Sequence, residues 1–277
     1  ELIAMGPNQV WSWDITKLRG PEKFQHFFLY VIMDIFSRYV VGWMLAEREN
    51  AKLAERLIRE TCVKQAIEPD TLVIHADRGA PMKSKAVSQL MACLGVERSH
   101  NRPHVSNDNP FSESQFKTLK YHPNFSGEYG CAADALLSCR NLLNWYNNDH
   151  RHSSIAYLTP AIVHYGGAQQ ALQKRHDVML EAYSKRPERF VHGAPSLQKL
   201  PEAVWINPPT KEKIEGADGV AKPVTETALN AKTEFDTSLI NAGRAPSCRP
   251  SSTDYGTEFF RRETMSHKGH KEGCIVQ

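Results

Sequence analysis

The chain has 277 residues, 41% of them hydrophobic and 23% charged, with a net charge of +3. That supports one large core or two small ones, and leaves too little positive charge for bulk electrostatics alone to mark a nucleic-acid binder. No run is apolar and long enough to span a membrane, no signal-peptide pattern opens the chain, and the six cysteines form neither a CxxC pair nor the Cys/His spacing of a zinc site.

Val10–Leu18 (VWSWDITKL) alternates as a strand does, with Trp11, Trp13 and Ile15 on one face and Ser12, Asp14 and Thr16 on the other. Phe27–Phe36 is an almost continuous apolar run, the pattern of a central strand, and Ser37-Arg38 turns it into Tyr39–Ala46 as a hairpin. Asn50 is the expected N-cap of a helix repeating Leu53, Leu57 and Cys62 to about Ile67, and Pro69-Asp70 breaks it. Thr71–Asp77 reads as a short buried strand. Val87, Leu90, Met91 and Leu94 form a helical stripe that Gly95 closes at C′, and Val96–Asn101 is another short strand. Asn109 and Pro110 predict the cap and first residue of a further helix, with Asp108 in the turn before it, and a helix over about Ala132–Tyr146 follows.

A leading meander followed by strand–helix–strand alternation predicts an α/β fold, a mixed sheet with helices packed on it. After Gly166 the pattern changes to a helix over about Ala168–Ser184 and a Pro-rich extended segment, Lys185–Pro209, anchored by Phe190 and Trp205. From Thr210 the chain is polar and aperiodic, and disorder is expected. The expected organisation is a linker at 1–9, a core at 10–166, a helix plus extended segment at 167–209 and a tail at 210–277. Cys62 and Cys93, both in apolar helical patterns, are expected as buried free thiols in a reducing cytosol. The chain opens at Glu1 and not at Met, which suggests a fragment with a segment lost upstream.

Three acids stand where regular structure does not need them: Asp14 inside a strand, Asp77 at the end of one, and Glu113 in the first turns of a helix. Each has a plain reading, as a solvated strand residue, a turn residue and a helix-dipole partner respectively. Brought together, three carboxylates repel, and a divalent cation removes that penalty; Mg²⁺ or Mn²⁺ prefers such hard oxygen ligands.

Thirty-five residues separate Asp77 from Glu113, and with Asp14 in WSWDIT this resembles the Asp, Asp, thirty-five, Glu signature of retroviral integrases and bacterial insertion-sequence transposases. PNQVWSWDITKLRG, DIFSRYVVGW, HADRG, RPHVSNDNPFSESQFKTLKY, WYNNDHRHSSIAYLTPA and PERFVHGAPSLQKLPEAVWINPP carry the likeness to the frameshift-expressed transposases across roughly residues 5–209. The resemblance implies a ribonuclease H-like five-stranded mixed sheet flanked by helices. It implies Asp14, Asp77 and Glu113 as catalytic residues holding two Mg²⁺ or Mn²⁺ ions, and no small-molecule cofactor. It further implies cleavage at element ends and direct attack of the freed 3′-hydroxyls on target DNA, without a covalent protein–DNA intermediate. A homo-oligomer assembled on DNA, a bacterial cytoplasmic and nucleoid-associated location, no membrane partner, and a missing upstream helix-turn-helix that reads the ends belong to the same expectation. A ribonuclease H-like nuclease and an inactive DNA-binding remnant of a decayed element are the alternatives.

Lys117 and Lys120 share a helix face with Glu113, and the resembled family carries a basic residue seven positions after its glutamate, so Lys120 is expected on DNA, with Lys117 and Arg102 beside it. Asp34 is a structural position in that family, His75 a packing residue, and Asn147–Ser154 an ordered polar loop in place of a metal tract.

Overall fold

Strand β2 (Val10–Arg19) is the axis of the fold. In the computed structural model, which describes residues 2–77, 84–100 and 109–208, five strands form one sheet in the order β4-β3-β2-β5-β6, with β3 (His26–Asp34), β4 (Val40–Ala46), β5 (Val73–Ala76) and β6 (Glu97–His100). β3 runs antiparallel to both β2 and β4, whereas β5 and β6 run parallel to β2 and to each other. This is the ribonuclease H-like arrangement, and the element order is the one the sequence predicts. The expected tail at 210–277 lies outside the described residues. Phe27–Phe36 supplies an interior strand, but the sheet centre is β2, because the crossover through α1 (Ala51–Lys64) returns the chain to the far side of β2.

Both faces of β2 are covered. Gly42 of β4 opposes Ile32 of β3, and Ile32 opposes Trp13, so one row runs beneath α1; α1 begins where Asn50 Oδ1 accepts the Lys52 N–H at 2.8 Å. The other face carries α3 (Pro110–Lys120) and α4 (Ala132–Asn148), with Phe116, Leu119, Leu142 and Leu143 gathered over Thr16, Leu18 and Leu29. The serine and threonine of the alternating strand are therefore buried, Ser12 fully so.

α2 (Lys85–Cys93) ends at Leu94 and turns out through Gly95, whose φ of +62° suits the expected C′ position. Cys93 is exposed, not buried as its apolar context predicts: α2 turns Val87, Leu90 and Met91 inward, and two residues past Met91 the helix faces out.

The segments outside the sheet are tied down by a pairing the sequence does not announce. β1 (Leu2–Ala4), in the stretch read as linker, pairs antiparallel with β7 (Val204–Ile206). Ala4, Val204 and Ile206 join a cluster with Ile35, Val163 of α5 (Pro160–His164) and Leu172 of α6 (Ala168–Lys185). Alternation along β7 buries Val204 and Ile206 and leaves the expected anchor Trp205 half-buried. Phe190 packs edge-on against Tyr183 at 5.3 Å. No helix among the described residues is long and apolar enough to cross a membrane.

The closest approach of helix to sheet gives a test. A Cβ on Gly42 would sit 2.1 Å from Thr61 Oγ1 of α1, a hydroxyl that donates to the Leu57 carbonyl. Gly42→Ala is expected to cost about 2 kcal/mol in urea unfolding through overpacking. Adding Thr61→Ala, which removes two of the three close atoms, is expected to recover part of that loss; a single variant as stable as wild type would contradict the packing.

Candidate active site

The β2–β5 register places Trp13 opposite Ala76 and Ser12 opposite His75. Asp14 is the next residue of β2, on the face where Ser12 meets α3, and Asp77 is the residue that follows β5. Glu113 sits in the first turn of α3. What locates that turn is a set of buried hydrogen bonds. The Ser12 hydroxyl donates to Asn109 Oδ1 at 2.5 Å and lies 2.6 Å from the Ser112 hydroxyl, and Asn109 Nδ2 reaches the Trp13 carbonyl at 3.4 Å.

Asn109 does hold the N-cap place, with Pro110 following, but its side chain makes no cap bond. It turns inward to Ser12 because, at 3% exposure, its amide needs buried partners. Nothing local in the sequence reveals this; the only sign is a serine between two tryptophans, in WSW.

The Asp14 carboxyl is pushed up to about 6, first by burial and then by the negative charges of Asp77 and Glu113; the Ile15 N–H and the Lys120 charge oppose the rise. Asp77 and Glu113, from separate segments, thus stand close enough to Asp14 for their charges to act on it. Asp77 and Glu113 are exposed. Among the described residues no group of three His, Cys, Asp or Glu is drawn into a formed metal-holding cluster. The donor set nevertheless fits a hard divalent ion: carboxylate oxygens alone, one half-buried and two at the rim.

Lys117 and Lys120 are exposed on the same helix, and Lys120 is the one whose charge reaches Asp14. No ion pair joins Glu113 to Lys117 among the described residues. Arg102 and Asp108 lie outside the described residues.

Asp34 is fully buried and away from these acids, accepting hydrogen bonds from Asn8 and Ser37. His75 is buried on the acid face with Nδ1 3.1 Å from Ser99 Oγ. The expected polar loop begins two residues late, since Asn147 and Asn148 close α4; Asn147 clips both backbone groups of Val40, and in the loop that follows His152 meets Ser154. Sequence reasoning also missed Arg38, at φ +65°, whose guanidinium stacks 4.2 Å from the Phe111 ring at the start of α3 while its Nε donates to Ser154.

Two family models described as integrase core domain match this chain, at residues 4–106 and 94–160, and together they cover more than half of it. The transposase for insertion sequence element IS904 of Lactococcus lactis is 30% identical over 158 residues, 57% of this chain and 61% of that protein. Transposase InsF for insertion sequence IS3A of Escherichia coli is 29% identical over 164 residues, 58% of this chain and 55% of its own length. The chain spans little more than half the length of these curated relatives. Among solved structures, the HTLV-2 integrase catalytic core domain in complex with magnesium aligns with 16% identity over 58% of this chain and 98% of that one, at a TM-score of 0.44. A simian T-cell lymphotropic virus intasome aligns with 18% identity over 58% of this chain and 55% of its own, at a TM-score of 0.46.

Proposed function

We propose, from the two integrase-core matches and the transposase relatives, that the chain performs metal-dependent DNA strand cleavage and strand transfer by in-line phosphoryl transfer. What supports this reading is that the charges of Asp77, just past β5, and of Glu113, in α3, both act on Asp14 of β2, with the Trp13–Ala76 register and the Ser12 link to α3 beside them. Negative charge gathered around the half-buried Asp14 costs a fold free energy unless a cation takes it up.

In this reading Asp14, Asp77 and Glu113 hold two Mg²⁺ or Mn²⁺ ions. When bound, such ions supply Lewis acidity at the phosphoryl group and a more acidic attacking hydroxyl. The chain's own part is positional. The sheet holds Asp14 at a fixed depth, Asp77 and Glu113 would complete the oxygen donor set from the exposed side, and Lys120 would neutralise a phosphate beside the scissile bond. The DNA partners are element ends and target DNA, the working form is an oligomer assembled on them, and the location is cytoplasmic, at the nucleoid.

The test is strand transfer of a labelled, pre-cleaved duplex end into a target duplex with Mg²⁺ or Mn²⁺, comparing wild type with Asp77→Asn. Product from wild type and none from the variant is the expected result. Equal product from both, or none from either despite ion binding, overturns the reading.

Lys120→Gln tests the DNA contact separately. Loss of one phosphate contact is expected to weaken duplex affinity about eightfold at about 0.1 M salt and to make the log–log salt slope shallower by about 0.9. Fluorescence anisotropy across a salt series reads both. An unchanged slope would remove Lys120 from the DNA surface.

A further inference from the structure

Ser12 carries no charge and lies wholly beneath the surface, yet the bonds around it end on residues adjacent to two of the acids. We propose that Ser12 is a positioning residue: acting through Asn109 and Ser112, it sets where Glu113 stands relative to Asp14, and thereby the divalent-cation affinity of the acid trio. This rests on the function proposed above.

The inward face of α3 is Ser112, Gln115, Phe116 and Leu119. Its apolar anchors, Phe116 and Leu119, lie in the later turns, packed with Leu142 and Leu143 over Thr16, Leu18 and Leu29. The first turn, which carries Glu113, has Phe111 partly buried at its edge against the cluster of Val10 and Val73, but the residue it buries against Ser12 is the polar Ser112. Apolar contact is non-directional and tolerates sliding. Two bonds of 2.5 and 2.6 Å converging on one hydroxyl oxygen do not.

The donor directions are mutually consistent. Ser12 O–H goes to Asn109 Oδ1, Ser112 O–H goes to Ser12, and Asn109 Nδ2–H goes to the Trp13 carbonyl, while the Glu113 N–H donates to the Asn109 carbonyl at 3.3 Å. One end of this chain is the peptide before Asp14 and the other is the residue before Glu113. On the neighbouring strand, His75 stands opposite Ser12, bonded to Ser99, two residues before Asp77. A buried polar set of this kind holds a register where an apolar one of equal volume would merely fill space.

Ser12→Ala leaves Asn109 Oδ1 and the Ser112 hydroxyl without their shared partner and loosens the first turn of α3, which keeps the Phe111 packing and the Asn109–Trp13 bond. Outer-layer residues of this sort, once removed, typically cost 10- to 100-fold in metal affinity. The experiment uses the full 277-residue chain without DNA. Mn²⁺ affinity is measured by calorimetry well below the melting point for wild type, Ser12→Ala and Asp77→Asn, and melting curves are recorded for each. The expected result is Mn²⁺ affinity for Ser12→Ala about tenfold or more below wild type, with half-maximal strand transfer displaced to higher Mg²⁺. A purely structural serine would lower the melting point and leave the affinity of the folded protein unchanged, and that outcome overturns the proposal.

Should Ser12→Ala fail to fold, Ser112→Ala decides. It removes one hydroxyl and keeps the Ser12–Asn109 bond, so a smaller loss of affinity than for Ser12→Ala is expected, and wild-type affinity overturns the proposal. If wild type takes up no Mn²⁺, or Asp77→Asn takes it up as wild type does, the proposed function falls and takes this inference with it. Wild-type affinity in Ser12→Ala beside weakened binding in Asp77→Asn overturns the positioning role alone.

Discussion

Asp77→Asn is expected to lower single-turnover strand transfer by about 10³-fold while leaving the melting temperature within a degree or two of wild type. The reasoning separates charge from shape. Asn has the volume of Asp, and the position is exposed at the end of β5, where substitutions change stability by about 0.5 kcal/mol or less. What the substitution removes is an anionic oxygen ligand. The stabilisation a bound ion lends to a phosphoryl-transfer transition state is several kcal/mol, and about 4 kcal/mol of it corresponds to a factor near 10³.

A second effect runs the other way. Without the Asp77 charge, one of the causes that lift the Asp14 carboxyl disappears, so Asp14 ionises more readily in the variant. Loss of activity therefore cannot be traced to a protonated Asp14. Labelled pre-cleaved duplex, excess protein and a quench series read the rate, and a melting curve on the same sample reads the fold. A variant within tenfold of wild type would remove Asp77 from the chemistry.

The sheet was legible because its signals are local. WSWDIT alternates, the Phe27–Phe36 run is apolar, and Asn50, Pro69 and Gly95 punctuate the helices at the places found. Side-chain direction was legible only where the nearest partner is close in sequence. Asn50 caps its own helix. Asn109 has the same signature and does not, because a buried hydroxyl ninety-seven residues earlier competes for its amide. The pairing of β1 with β7 joins Leu2 to Ile206, and no periodicity within either short strand encodes it. Cys93 illustrates the limit of the helical stripe, which shows that a face is buried but not where its edge falls.

The acids divide the same way. Their common face follows from strand alternation and register, while their grouping was suggested by the family spacing and not by any pattern inside the three segments. The Arg38–Phe111 stack had no sequence signal, since Arg38 takes a left-handed backbone that no rule assigns to arginine.

Asp34→Ala is expected to do the reverse of Asp77→Asn, destabilising the fold by about 3 kcal/mol at pH 7 and lowering its melting temperature by about 10 °C. Asp34 ends β3 with no exposed surface and accepts three hydrogen bonds of 2.7 Å, from the Asn8 N–H, the Ser37 N–H and the Ser37 hydroxyl. That hydroxyl lies 3.0 Å from His164 Nδ1, so the carboxylate anchors the β3–β4 turn to α5. Alanine strands these donors, at about 1–3 kcal/mol for each one buried, and deprives the buried Arg38 of a compensating charge.

The pH dependence has a definite sign. Burial pushes the Asp34 carboxyl up to about 6, against the lowering influence of Ser37, Asn8 and Arg38. A carboxyl raised in the folded state binds protons more tightly there than in the unfolded chain, so its contribution is full below the unfolded value and is lost as pH rises through about 6. The advantage of wild type over Asp34→Ala is therefore largest near pH 4 and shrinks toward pH 7, as paired urea unfolding curves across that range will read. The two aspartates can be exchanged in this test. An Asp34→Ala chain that melts like wild type but no longer transfers strands would move the catalytic role to β3, and with it the site itself, since Asp34 and Asp14 lie on different parts of the sheet and only Asp14 shares a face with α3.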